Sequence, residues 1–341
     1  MPNPGAVYEP VRDLAEETAA TLRYLLPPPS PVALLDFPAH TNAGDSLIYL
    51  GQRRILRELG YQVAYLADTR VYSAAALRRR HPSGPIFLQG GGNLGDRWLH
   101  TQQFREQVIR DFPDRTIVQL PQSIDFHDPA RAATARQVFA RHPDLLVLMR
   151  DQRSLTRARD VFAGTRIEYC PDLAIGYGPV HRPVAPEYDV VLLMREDTES
   201  SRDGGVELPA GASSMRTDWG FSGIGRLPWQ LRMLPSAAAR HVVPLRLPLQ
   251  TTVEASFDEL AAFNVRAASA ILARGRIVVT DRLHAAVLAA LLGIPVIALD
   301  NANGKISAAY DAYLHRLPHL RFAVDGQQAS ELAHALLRQD A

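Results

Sequence analysis

The chain contains a single lysine, Lys305, beside 36 arginines. One compact ammonium among planar guanidinium forks marks a position suited to a phosphate oxygen. It stands in Asn303-Gly304-Lys305, directly after a predicted strand Val296 to Asp300, at the kind of strand end where α/β proteins place ligands. One strand earlier, Ile277 to Thr280 runs into Asp281-Arg282-Leu283-His284 at a helix start. Arg282 can grip a carboxylate or phosphate, and His284 in the first helical turn faces the same mouth. Arg150 and Arg195 each close a predicted strand and can reach that cleft. Together these residues describe a local cationic pocket for a small, multiply charged anion, reinforced by helix N-termini. Plainer roles account for them one at a time: a solvated loop for Lys305, an Asp281 ion pair for Arg282, an Asp151 ion pair for Arg150.

A second set of strand ends carries polar and glycine-rich turns. Asp36 to Asp45 includes His40, Asn42, Gly44 and Asp45 ahead of a helix, where Asn42 or Thr41 can cap and Asp45 suits the helix dipole. Gly90-Gly91-Gly92-Asn93-Leu94-Gly95-Asp96 satisfies the G-x-G-x-x-G pattern. A dinucleotide site, however, needs that loop in the first βα unit and an acidic residue closing the next strand; here the next strand ends in Leu120-Pro121-Gln122-Ser123. What survives is a loop whose amides can approach a ligand closely. Asn42 to Asp45 and Asn93 to Asp96 share an Asn-x-Gly-Asp spacing, which predicts equivalent turns on one cleft wall. His40, Asn42, Gly44, Asp45, Gly91, Gly92, Asn93, Asp96, Gln122 and Ser123 are the candidates for the acceptor side. Trp219 joins them as a ring able to stack on a sugar, as can Trp229; a local mini-core is the alternative use of either.

The elements that must position these residues alternate regularly. Strands are predicted at Val32 to Phe37, Gln62 to Ala67, Pro85 to Gln89, Thr116 to Leu120, Leu145 to Met149 and Arg166 to Tyr169, with helices between them. A further α/β series follows, with strands at Asp189 to Met194, Ile277 to Thr280, Val296 to Leu299 and Leu320 to Val324. Apolar strands alternating with helices indicate an α/β fold of parallel sheets covered on both faces. The expectation is two Rossmann-like domains facing across a cleft, each with its own core: residues 1–177 on the acceptor side, and 187–341 holding the anion site. The proline-bearing stretch Gly176 to Pro186 joins them, and the last helix is able to pack back on the first domain. Glu196 to Ala239 loses periodicity and reads as one long loop, either a functional lid or a disordered segment.

Composition narrows the function. A net charge of +1 argues against nucleic acid as a partner. The single Cys170 rules out an internal disulfide and a cysteine-rich metal site, fits a reducing cytoplasm, and reads as a small buried hydrophobe. No apolar run is long enough to span a bilayer, and no signal pattern opens the chain, so a cytoplasmic protein is expected.

The segments DFPAHTNAGD, FLQGGGNLGD, LPQSIDF, MRDQRSL, CPDLA, VVTDRLHAAVLAALLGIPVIALDN and NGK extend from Asp36 to Lys305. In this order they resemble the polysaccharide pyruvyl transferase family, particularly its bacterial exopolysaccharide members. The resemblance implies a GT-B-like pair of domains and phosphoenolpyruvate as donor substrate; no cofactor and no metal are expected. It also implies donor binding by Arg282, Leu283, His284 and Lys305, with Arg150 as a further donor-site arginine. The residue chemistry agrees: a carboxylate and a phosphate on a small frame require convergent cations, from Arg282 with Arg150 or Arg195, and from Lys305 in its Asn303-Gly304 loop. His284 is the candidate general acid/base. The expected reaction protonates the enol methylene, adds a sugar hydroxyl, loses phosphate and closes a ketal with a second hydroxyl. The acceptor would be a sugar or lipid-linked oligosaccharide, which brings the protein to the cytoplasmic membrane face; a homo-oligomer is compatible. Two alternatives share these loops: a nucleotide-sugar glycosyltransferase with Asp300 on a ribose, and a non-catalytic glycan- or phosphate-binding module.

Overall fold

A computed structural model describes residues 4–195, 205–219, 226–300 and 304–339. Helix α1 (Pro4–Leu25) precedes a regular alternation: β1 (Pro31–Leu35), α2 (Ala43–Glu58), β2 (Gln62–Ala67), α3 (Ala74–Arg80), β3 (Ile86–Leu88), β4 (Gly91–Gly95) and α4 (Leu99–Asp111). Then come β5 (Ile117–Asp125), α5 (Pro129–Ala140), β6 (Leu145–Met149), α6 (Gln152–Val161), β7 (Arg166–Tyr169) and a 3₁₀ turn, Leu173–Tyr177. The seven strands form one sheet in the order β2-β1-β3-β5-β6-β7, with β4 added beside β5. All its pairings are parallel, as expected for strands this uniformly apolar.

The second half runs β8 (Tyr188–Leu193), β9 (Ser214–Thr217), α7 (Arg226–Arg232), α8 (Leu234–His241), α9 (Gln250–Leu272), β10 (Gly275–Thr280), α10 (Leu283–Leu291) and β11 (Val296–Leu299). It ends with α11 (Lys305–Ala312), β12 (Leu320–Ala323) and α12 (Gly326–Gln339). Its parallel sheet has the order β12-β11-β10-β8-β9. The mixed α/β class with two parallel sheets is therefore as the strand pattern predicts.

Several expectations change. The glycine run at Gly91 to Gly95 is a strand, not a loop. It pairs with an extension of β5 that continues through Pro121 to Asp125, so Gln122 and Ser123 are strand residues too. Gly95 has φ 139°, and a Cβ there would lie 1.9 Å from the Asp125 carbonyl oxygen, so only glycine fits this close pairing. A run that forms a strand does not make the turn into a helix that a dinucleotide site requires. The repeated Asn-x-Gly-Asp spacing likewise yields different structures, a helix start at Asn42 and a strand at Asn93. Within Glu196 to Ala239, the described residues contain β9 on the sheet edge and the short helices α7 and α8. Helix α12 packs on β10, β11 and β12, burying Ala329 and Ala333, rather than returning to the first half.

The halves also do not have independent cores. One apolar cluster runs through both, with a smaller one on the far face of the second sheet. Helix α2 packs against α9 and α10. Phe37 and Phe257 stack with ring centroids 4.0 Å apart. Around them, the Tyr49 hydroxyl donates to Asp258 Oδ1 at 2.5 Å and Arg53 pairs with Asp258 at 3.0 Å. Asn264 Nδ2 donates to the His40 carbonyl and to Ser46 Oγ. Cys170 is buried and free, and burial pushes its thiol well up, consistent with a packing role.

Helix α2 also lies hard against the 3₁₀ turn. A Cβ on Gly51 would fall 1.9 Å from the Leu173 carbonyl oxygen. We expect Gly51→Ala to destabilise the protein by about 1–3 kcal/mol or more, because backbone rather than a flexible side chain must move. Urea unfolding checks this; a loss below about 0.5 kcal/mol would show that the contact yields freely.

Candidate active site

A cavity of about 550 Å³ lies where the carboxyl ends of both sheets meet the starts of α2 and α10. Its wall includes Arg150, Arg195, Arg282, Leu283, His284 and Lys305, so the cationic residues separated along the sequence do converge. From the first half, His40, Asn42, Asp45, Gly92 and Asn93 line it, and Trp219 enters from the segment after β9.

At its centre Arg150, at the end of β6, meets Asp172, just before the 3₁₀ turn, and His284, in the first turn of α10. Arg150 Nη1 donates to Asp172 Oδ2 at 2.5 Å, and His284 Nε2 lies 3.2 Å from the same oxygen. Asp172 Oδ1 accepts from Ala174 N at 2.8 Å, so this side chain also starts the turn. Burial alone would raise the Asp172 carboxyl, but Arg150 and His284 reverse the balance and hold it far below the usual carboxylate range. Burial likewise opposes charge on Arg150, and Asp172 outweighs it. Asp151, the partner expected for Arg150, instead caps α6 by accepting from Ser154 N.

Glycines let these groups approach. A Cβ on Gly44 would sit 2.8 Å from His284 Cβ and 2.9 Å from Nδ1, so the imidazole lies directly over the start of α2. A Cβ on Gly92 would sit 2.9 Å from Arg150 Nη2 and 3.7 Å from Lys305 Nζ. Cations from both halves thus meet over a residue without a side chain. Asn42 is the expected cap of α2, accepting from Gly44 N at 2.9 Å, and its Nδ2 donates to Asp45 Oδ2 at 2.8 Å.

Other candidates stand behind the wall. Gln122 holds β4 by donating to Asn93 Oδ1 and accepting from Asn93 N. Ser123 Oγ accepts from Arg150 Nε at 2.8 Å. Gly91 and Gly304 are backbone positions with φ 147° and 64°; Gly304 caps α11. Asp96 lies away from the cavity, accepting from the amides of His127 and Asp128. Trp229 packs against the main core. Asn303 lies outside the described residues. Asp300, the ribose ligand of the glycosyltransferase reading, accepts from Ile306 N and bonds Ser307 Oγ, so its carboxylate anchors α11.

Five side chains escaped the sequence reading. Asp172 lies in the CPDLA segment with no charged neighbour in sequence. Asp218 grips Arg282 with both oxygens, accepting from Nε at 2.5 Å and Nη2 at 2.6 Å; Arg282 therefore pairs with Asp218, not Asp281. Trp98, 51% exposed, stands at the cavity rim. Asp36 and Asp68 line the cavity from the ends of β1 and β2, and their one signal is that each directly follows an apolar strand. Among the described residues no group of three His, Cys, Asp or Glu side chains is placed to hold a metal ion, and no helix is long and apolar enough to cross a membrane.

The site thus offers cations to a compact anion and, in the same lining, carboxylates able to accept from hydroxyls. Comparison with known proteins gives this chemistry a family. The family model for polysaccharide pyruvyl transferase matches residues 42–303. Pyruvyl transferase 1 of Schizosaccharomyces pombe is 32% identical over 295 residues, covering 83% of this chain and 70% of that protein. EpsO of Bacillus subtilis, named as a pyruvyl transferase, is 26% identical over 306 residues, 87% of this chain and 89% of that one. A solved structure of a functionally uncharacterised protein from Klebsiella pneumoniae is similar in fold, with a TM-score of 0.56 at 18% identity across 92% of this chain and 99% of that chain. A non-catalytic binding module does not fit these relatives. The chain belongs to the polysaccharide pyruvyl transferase family and is a transferase.

Proposed function

We propose that this transferase takes phosphoenolpyruvate as donor and moves its three-carbon unit onto two hydroxyls of one sugar, in an exopolysaccharide or lipid-linked oligosaccharide precursor. A pyruvate ketal forms and phosphate leaves. The observation that carries this reading is the convergence of Arg150, Arg195, Arg282, His284 and Lys305 on one cavity. A small trianion requires such a density of cations, and a neutral ligand would not offset its cost.

The geometry suggests how the roles divide. Arg282 already holds a carboxylate, that of Asp218, in a two-point grip; the donor carboxylate takes the same fork once Asp218 withdraws. Arg150 gives Nε to Ser123 and Nη1 to Asp172, which leaves Nη2 beside Lys305 for the phosphate. His284, with Nε2 on Asp172, is oriented as the acid that protonates the donor methylene, and Asp172 stabilises the imidazolium. A sugar hydroxyl then attacks the carbon that bore the phosphate, phosphate departs, and the second hydroxyl closes the ring. Acceptors attached to a lipid would bring the protein to the cytoplasmic face of the membrane.

Incubating the enzyme with phosphoenolpyruvate and candidate oligosaccharides, read by product mass and released phosphate, tests the reading. We expect one pyruvyl increment and one phosphate per ketal; phosphate release without a pyruvylated product would contradict it. His284→Ala should slow the reaction about a hundredfold or more while the donor still binds by calorimetry; near-normal turnover from pH 6 to 9 would remove the imidazole from the mechanism.

Asp218→Asn should lower the donor KM about fivefold, equivalent to about 1 kcal/mol, because a competing carboxylate is removed. An unchanged or higher KM in steady-state kinetics would show that Asp218 does not occupy the donor's place.

A further inference from the structure

Attack by a neutral hydroxyl needs a proton acceptor, and the cation wall supplies donors. Leu35 of β1 pairs with Ala67 of β2, so the next residues, Asp36 and Asp68, stand side by side at adjacent strand ends in the cavity wall. Asp36 is held at φ 70°, a left-handed conformation uncommon for a residue with a side chain and often retained at functional positions. Its Oδ2 accepts from the fully buried Arg105 at 2.8 Å, and Arg105 is fixed in turn by Asn93. No donor among the described residues reaches Oδ1. Asp68 is 1% exposed. Its Oδ1 accepts from the amides of Arg70 and Val71, while its Oδ2 has no hydrogen-bond donor and only a loose ion pair with the Arg70 guanidinium, 3.9 Å away. Arg70 offsets part of the charge, but a buried carboxylate oxygen in a cavity wall still lacks a donor that a ligand hydroxyl can supply.

We propose that Asp36 is the general base for the attacking acceptor hydroxyl, and that Asp68 beside it accepts a hydrogen bond from another hydroxyl of the same sugar. The assignment rests on the pyruvyl-transfer reading above. As the first hydroxyl attacks, its O–H bond breaks and the proton passes to Asp36; the new O–C bond forms at the phosphate-bearing carbon while His284 delivers its proton to the methylene. Asp36 returns its proton to the bridging oxygen as the C–O bond to phosphate breaks and the electron pair leaves with the phosphate. The second hydroxyl then closes on the resulting cationic carbon, and its proton restores the His284 imidazolium. Asp36 is again a carboxylate.

The surroundings suit a base working near neutral pH. Burial raises the Asp36 carboxyl, Arg105 pulls it back, and Asp45 and Asp68 push it up again, to about 7. Arg105 from α4, Asp45 and His40 at the start of α2, and Asp68 and Arg70 after β2 are the charged and titratable groups around it. Because the deprotonated form acts, turnover should rise with pH through this range. Removing the neighbouring negative charge should move that rise to lower pH.

The test uses the full chain with phosphoenolpyruvate and p-nitrophenyl hexopyranosides of the gluco, galacto and manno series. Single-turnover ketal formation is read by mass, donor affinity by calorimetry and folding by thermal unfolding. Asp36→Asn is expected to lose about a hundredfold or more in rate while keeping donor affinity, and Asp68→Asn to shift the acid limb of the pH profile downward. An active wild type with an equally active Asp36→Asn overturns this assignment alone. If Asp36→Asn fails to fold because Arg105 loses its partner, Asp68→Asn decides: an unmoved acid limb overturns the proposal. A wild type that pyruvylates none of the hexosides overturns the transfer reading, and this assignment with it.

Discussion

Asp172 is the carboxylate on which both the site and the join between the halves depend. It is buried, and it accepts from Arg150 at the end of the first sheet and from His284 at the start of a helix in the second half. Arg150, His284 and a backbone amide outweigh the desolvation that would otherwise neutralise it. Removing one partner from such a pair typically costs about 3–5 kcal/mol, because the remaining charge is left buried without compensation. The same contact sets the direction of the imidazole and leaves one face of the arginine for a ligand. Fold and chemistry therefore share one set of bonds.

The shared core makes that arrangement stiff. Helices α2, α9 and α10 pack as one layer between the sheets, and Gly44 and Gly92 give the close approaches that bring side chains from both halves onto one cavity, while Gly51 seats α2 on the 3₁₀ turn. The cavity lining carries both signs of charge, with Arg150, Arg195, Arg282 and Lys305 as cations and Asp36 and Asp68 as carboxylates. Such a lining suits a ligand pair in which a small anion meets the cations and hydroxyls meet the carboxylates. Asp218 complicates it, since one carboxylate already occupies the Arg282 fork.

Much of this was legible in the sequence. Uniformly apolar strands such as Leu145–Met149 and Val296–Leu299 announced a parallel sheet, and the residues placed after them, Arg150, Arg282, His284 and Lys305, do gather. What the sequence did not disclose depends on partners far along the chain. The glycines of β4 have poor strand propensity, and they form a strand because β5 extends through Pro121 to pair with them. Asp172 pairs with residues 22 and 112 positions away, and Asp218 with an arginine 64 positions on. Local pattern reading favours near neighbours, which is why Asp151 and Asp281 were the expected partners instead. The independent-core expectation failed for a related reason: alternation of strands and helices predicts sheets, but not which helices two sheets will share.

In the proposed reaction Asp172 orients the His284 imidazole as well as closing a structural ion pair with Arg150. The most direct measurement is the single-turnover rate of ketal formation by Asp172→Asn at saturating phosphoenolpyruvate, on protein shown by thermal unfolding to be folded at the assay temperature. The expected rate is about a hundredfold or more below wild type, close to that of a variant lacking the imidazole. A folded Asp172→Asn protein that forms ketal at close to the wild-type rate would contradict it.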